Sequence, residues 1–411
     1  MKRIAILLPA LVALLAWPGC GGNPTSNPSG TTNAKNRAFI SNVYSGNLQI
    51  VDSQNDTTPF TAQSTNTNGQ VIPGQPVTIA VSGSVTFEVE SPDHTTTAVY
   101  DPGSVAIFFI TNSSQTSIGD APLADPTGMA LFSPDGTTMY APEPNLPFSG
   151  LAPGGVQVVN VANEQVTTSY PVQSARYIAL SPNGYYLLVF ADNSDSLYLI
   201  NLNATTVTAV AIPGFARPVN AFFSADGNTA YVLNCGPECG STGAASVSSF
   251  NIPNQTITAT VPVGGASVGY LNSSTLYVAG SPVPPGTTST YDAVNISNMT
   301  RLTTNSVAIG DGYHTTMALA TNNKLYIGAN TCSNTTTGCL SVVDVSTNTA
   351  DPPLPPRGAI TSLMSVANRN VMYAIEGGAL HIYDTTNDQM QNTQVLFTGA
   401  VYGVVQVDPF Q

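Results

Sequence analysis

Residues 220–234 read NAFFSADGNTAYVLN, and the reading of that stretch decides the fold. A short apolar run meets Ser-x-Asp-Gly, and a second apolar run leaves it at once. Asp followed by Gly suits a tight turn that needs positive φ, so the stretch reads as two strands joined by a hairpin turn. The first half recurs as MALFSPDG from Met129, YIALSPNG from Tyr177 and, as a variant, FEVESPDH from Phe87. The second half recurs as TTMYAP, YYLLVFAD, TLYVAG, KLYIGAN and VMYAIEG.

A third element alternates apolar and polar residues: LQIVD from Leu48, VQVVNV from Val156, LYLINL from Leu197, LSVVDV from Leu340 and LHIYDT from Leu380. A fourth, weaker strand leads into the next unit, as in TITATVPV from Thr256. No helical pattern of useful length intervenes. Four strands in every roughly 40 to 55 residues is the pattern of propeller blades. A single four-stranded sheet leaves both faces bare. Blades packed face to face around an axis cover those faces, and closing the ring protects the edges.

The SPDG turns followed by AYVLN, LYVAG and LYIGAN, then by VVDVSTNT, resemble the YVTN-type β-propeller repeat family of exported bacterial and archaeal proteins. The resemblance extends from Arg37 to the C-terminus. It implies an all-β propeller fold and life outside the cytoplasm. It implies no common reaction, so no catalytic residue is carried over.

Innermost strands are expected at FEVES, MALFS, YIALS, NAFFS, SVGYL, TMALA, SLMSV and, last, YGVVQV from Tyr402. That gives eight blades in one domain, residues 37–411. RAFISN at Arg37 has no inner strand before it, and the strand at Tyr402 has nothing after it. The C-terminal strand is therefore expected to complete the N-terminal blade. Seven blades also fit, because residues 56–84 are irregular.

The first 19 residues have the parts of a secretion signal: Lys2 and Arg3, an apolar run from Ile4 to Ala16, then small residues. The run is short for a membrane span. Cys20 stands where lipidation would occur, although Trp17 and Pro18 depart from the usual pattern; conventional cleavage nearby is the alternative. Residues 20–36 then read as a lipidated cysteine and flexible tether, rich in Gly, Pro, Ser, Asn and Thr. The expected location is the periplasm or cell surface, on a membrane anchor.

Removing residues 1–19 leaves 8 basic against 23 acidic residues, a formal charge of −15. Such a field repels phosphate backbones, so nucleic acid is not an expected partner. The remaining four cysteines fall into local pairs, Cys235 with Cys239 and Cys332 with Cys339. In an exported protein these read as separate disulfides. A metal site is not expected of them, since a whole blade separates the pairs.

Long, irregular second-to-third-strand loops start at Pro142, Cys235, Ser281 and Thr331. In a propeller these share a face with the blade-to-blade connections, which makes that face the candidate binding side. The connections carry Asp125, Arg176, Arg217, Arg357 and the trio Asp311, Tyr313 and His314. Arginines near the axis of an acidic protein suit a small anionic ligand, a peptide or a glycan; the alternative is that they brace neighbouring blades.

His94, His314 and His381 are scattered, and no phosphate cradle or dinucleotide fingerprint occurs, so no catalytic residue, metal or other cofactor is assigned. The expectation is a monomeric binding scaffold of the cell envelope. The alternatives are a surface-layer protein, or a lyase or hydrolase whose site would need Asp311, His314 and one axial arginine in a single pocket.

Overall fold

A computed structural model describes residues 34, 36–59, 64–65, 71–72, 76–81, 83–281, 288–332, 337–352, 354–391, 395 and 400–408. The expected signal, Cys20 and nearly all of the tether lie outside those residues. The described chain forms an eight-bladed propeller of four-stranded antiparallel sheets, almost devoid of helix.

Blade 1 orders its strands Val401–Gln406, Arg37–Asn42, Asn47–Asp52 and Thr78–Ala80. The innermost strands of blades 2 to 8 are Phe87–Glu90, Leu131–Phe132, Ala175–Leu180, Pro218–Phe223, Val268–Asn272, His314–Leu319 and Ile360–Val366. All eight expected inner strands are present. The eight-blade count therefore stands, and the C-terminal strand closes the ring as expected. The irregular region holds the outer strand of blade 1 and a small separate hairpin, Ser64–Thr65 with Val71–Ile72.

The local chemistry explains the repeat. In blade 3 the Ser133 hydroxyl donates to Asp135 Oδ1 at 2.6 Å, the Thr138 N–H donates to Ser133 Oγ at 3.0 Å, and Gly136 takes φ 71°. Blades 4 and 5 repeat this with Ser181, Asn183 and Gly184, and with Ser224, Asp226 and Gly227. In blade 2 His94 occupies the glycine position and takes φ 59°. Serine and the acid or amide thus satisfy the turn's own donors within five residues of sequence.

The second strands are buried on both faces because each lies between neighbouring blades. Tyrosines there and on a third strand reach the following blade. Tyr291 in blade 6 donates to Asn348 Oδ1 at 2.8 Å, Tyr326 in blade 7 to Asp388 Oδ1 at 2.6 Å, and Tyr373 in blade 8 to Asp56 Oδ1 at 2.5 Å. Each acceptor is the positive-φ residue of a third-to-fourth-strand turn. These bonds satisfy buried hydroxyls while fixing one blade against the next.

Burial also leaves three carboxyls in a poor environment for charge. Desolvation pushes Glu88 and Glu143 up to about 8, and Glu376 up to about 7. At least one oxygen of each lacks a hydrogen-bond partner. His314 moves the other way, to about 4, because burial disfavours its charged form. A raised carboxyl means that the folded state holds the proton more tightly; its contribution is present below the ordinary value of 4.5 and lost as pH rises through the folded value. For His314 stability is lost as pH falls from 6.5 toward 4. Three raised carboxyls outweigh the one lowered histidine, so the melting temperature is expected to be highest near pH 4.5 and to fall as pH rises toward 8. Melting curves of Glu143→Gln should flatten that fall; a curve still as steep as wild type would assign the loss to other groups.

Candidate functional site

The inner strands do not run straight to their upper ends. Pairing with the second strand slips by one residue between Ala175 and Tyr177, Pro218 and Asn220, His314 and Thr316, and Ile360 and Ser362. Such a bulge re-aims side chains where a strand ends. In blade 4 the bulged residue is Arg176.

Arg176 and Tyr177 open into a cleft of about 400 Å³ on the face that carries the long loops. Blade 5 contributes Arg217 and Glu238, and Tyr313 reaches it from blade 7. The volume falls within the range of small-molecule sites.

Arg176 donates through Nε and Nη2 to Asp192 Oδ2 at 2.9 and 2.6 Å. This pairing raises the guanidinium further above its usual range. Arg217 occupies φ 53°, uncommon for a residue with a long side chain. Its own bonds account for the conformation. The Arg217 N–H donates to Asp195 Oδ1 at 3.0 Å, Nε donates to the Cys239 carbonyl at 3.2 Å, and the Arg217 carbonyl accepts from Cys235 N–H at 2.9 Å. Nη1 also lies 3.3 Å from Asp195 Oδ1. Both arginines are therefore balanced by carboxylates, which removes the local excess of positive charge expected from sequence.

The Cys235–Cys239 disulfide spans 5.6 Å between Cα atoms, and Cys332–Cys339 spans 5.9 Å, both within the usual range. Both local pairings are as expected from sequence, and two disulfides fit an oxidising environment. The first closes a 3-10 turn, Gly236–Cys239, whose Glu238 accepts from the Ser281 N–H of blade 6 at 2.8 Å. Burial raises the Glu238 carboxyl above its ordinary value, against the lowering effect of that bond. The short disulfide loop thus places one carboxyl in the cleft and one carbonyl on Arg217.

Tyr177 and Tyr313 remain 43% and 44% exposed, which leaves their rings free to meet a ligand. Burial of the hydroxyl end raises both phenols, and for Tyr313 the neighbouring Tyr177 adds to the effect.

The other sequence candidates lie elsewhere. His314 is buried, with Nε2 3.1 Å from the Gly310 carbonyl and Nδ1 without a partner. Asp311 accepts from Ser289 Oγ at 3.4 Å, outside the cleft lining. Asp125 serves the connection into blade 3: its N–H donates to Glu143 Oε2 at 2.9 Å, and its Oδ2 accepts from Asn145 N–H at 3.1 Å. Arg357 acts on Glu376 and Tyr383 in blade 8. The structure therefore joins Arg176, Arg217 and Tyr313 and separates Arg357, Asp311, His314 and Asp125 from them.

Sequence reasoning passed over Tyr177, Asp192 and Glu238. Tyr177 adjoins a chosen arginine, and Glu238 lies inside the cysteine-bracketed loop, so both had a positional signal. Asp192 opens DNSDS, which resembles a fragment of a calcium loop but lacks the rest of that ligand set, so it carried no signal for this cleft.

Fold and site together define the class: an eight-bladed β-propeller with a polar, tyrosine-flanked cleft on its loop face. No protein-family model and no curated protein matches the chain. Among solved structures it is similar to the dihydro-heme d1 dehydrogenase NirN in complex with DHE, at 12% identity and TM-score 0.65 over 93% of this chain and 77% of that one. It is also similar to a functionally unknown protein from Desulfotomaculum acetoxidans, at 16% identity and TM-score 0.52 over 77% and 95%. The β-propeller domain of Myceliophteria thermophila Cps50 (Swd1) matches at 9% identity and TM-score 0.52 over 72% and 94%. At these identities the likeness is one of fold alone.

Proposed function

We propose that this chain is an exported, lipid-anchored propeller of the YVTN type that binds its ligand in the cleft of Arg176, Arg217 and Tyr313. One observation carries the reading. Three blades converge on a cleft whose charged groups are held in place by each other, while two tyrosine rings are left exposed. That is a preorganised recognition surface, since the polar groups lose little freedom when a ligand arrives.

Propellers host enzymes as well as binding modules, so the fold does not choose between them. What supports binding here is the position of His314: it lies inside the protein with a depressed pKa, and neither it nor Asp311 lines the cleft. A lyase or hydrolase built on those two residues lacks its convergent geometry. The export and anchor parts of the proposal rest on residues 1–36 and on the two disulfides.

The test is affinity capture from envelope extract with the full chain, compared with an Arg176→Ala, Tyr313→Ala double variant. Loss of a charge-assisted set worth about 2 kcal/mol corresponds to roughly a thirtyfold drop in recovery of at least one component. Equal recovery of every component by a variant with an unchanged melting curve overturns the proposal.

A further inference from the structure

The chemistry of the cleft narrows the class of ligand, an inference that rests on the cleft being the binding site. Each guanidinium already meets a carboxylate, Arg176 with Asp192 at 2.6 Å and Arg217 with Asp195 at 3.3 Å. A phosphate or carboxylate ligand would meet guanidinium groups whose charge is already offset by these carboxylates, and at close range the same carboxylates would repel it. A cationic ligand fares no better. Asp192 and Asp195 are engaged by the arginines, and Glu238 is raised by burial while accepting from Ser281. The site thus disfavours net charge of either sign.

What it offers is a set of neutral-ligand contacts. The bonds to Asp192 use Nε and Nη2 of Arg176, so Nη1 is not part of that pair. The bonds of Arg217 use Nε and Nη1, so Nη2 is likewise not part of them. Planar donors beside carboxylate acceptors present the alternation of donor and acceptor that adjacent hydroxyls satisfy, because each hydroxyl both gives and accepts a bond. The exposed rings of Tyr177 and Tyr313 supply the apolar complement. An aromatic face is electronegative, and the C–H bonds on one side of a pyranose ring are weakly positive.

We propose that the ligand of this cleft is an uncharged sugar unit, presented on a neutral glycan. The groups that would recognise it are the Tyr177 and Tyr313 rings against its C–H face, and the Arg176–Asp192 and Arg217 groups against its hydroxyls.

The direct test is an array of neutral, uronic-acid-containing and sulfated oligosaccharides probed with the full chain. The expected result is retention on neutral glycans only. Tyr177→Ala and Tyr313→Ala should each weaken it about tenfold, while Tyr313→Phe, which keeps the ring, should stay within about threefold of wild type. Melting curves of the three variants show that each is folded. Preference for the acidic or sulfated sugars overturns the inference, as does wild-type binding by both alanine variants. Retention of no glycan, alongside cleft-dependent capture from envelope extract, overturns the sugar assignment and leaves the cleft as a site. If capture too is indifferent to the cleft residues, both readings fall.

Discussion

A chain lacking residues 401–411 is expected to show no cooperative melting transition and to aggregate. The lost strand, Val401–Gln406, is the innermost strand of blade 1 and pairs along Arg37–Asn42. Val401, Val404 and the following Val407 are buried in two separate core clusters, one toward blade 8 and one toward blade 2. Burying three valines contributes about 5 kcal/mol, of the order of a whole domain's net stability. The deletion also removes Asp408, which accepts from the Arg37 N–H at 2.6 Å and pairs with its guanidinium at 2.6 Å. What remains at Arg37–Asn42 is an open apolar strand edge at the ring's centre, a template for pairing between molecules. Calorimetry and light scattering of the truncated chain decide the matter. An unchanged transition in a monomeric sample would mean that the ring does not depend on this clasp.

The second large effect is expected from one methylated position. A Cβ at Gly328 would lie 2.4 Å from Ile360 Cγ2 and 2.8 Å from Thr316 Cγ2. Gly328 belongs to the second strand of blade 7, and Ile360 opens the inner strand of blade 8, so this contact sets the spacing between two blades. Both neighbours are β-branched and stiff, so neither yields by rotation. Gly328→Ala should destabilise by about 3 kcal/mol. Gly403→Ala is the internal control. Its Cβ would meet Glu88 at 2.4 Å, but the atoms it meets are the far end of an unbranched side chain, which has more torsions to turn through than Ile360 or Thr316. The expected cost is about 1 kcal/mol, and denaturant melts of the two variants compare them directly. Equal losses would contradict the role given to side-chain stiffness.

The propeller was legible because its signals are local and serial. Ser-x-Asp-Gly turns carry their own hydrogen bonds, and the apolar runs that follow them are short enough to be strands and nothing else. The outer strand of blade 1 was harder to see, since Thr78–Ala80 is three residues long and follows a detour. The site was legible only as far as position along the chain could take it. Arg176, Arg217 and Arg357 look alike in sequence, each near the start of an inner strand. Their partners separate them. A bulge at Arg176 and the positive φ of Arg217 aim these two at the cleft, while Arg357 faces Glu376 and Tyr383. His314 reads as a loop residue beside the axis, yet the strand takes it inward. Bulges and backbone inversions of this kind depend on neighbouring blades, so the sequence of one repeat does not encode them alone.

The clasp has a directional consequence. In every blade the inner strand runs away from the loop face and the second strand returns to it. Arg37 begins a second strand, and Asp408 follows the end of an inner one. Their ion pair therefore lies at the level of the hairpin turns, where Arg37 Nη1 also donates to the Asn112 carbonyl of blade 2 at 2.6 Å. Arg37 thus lies on the side opposite the cleft. The tyrosine-flanked opening and the seam where the ring is closed therefore occupy opposite ends of the propeller, so a ligand entering the one does not meet the other.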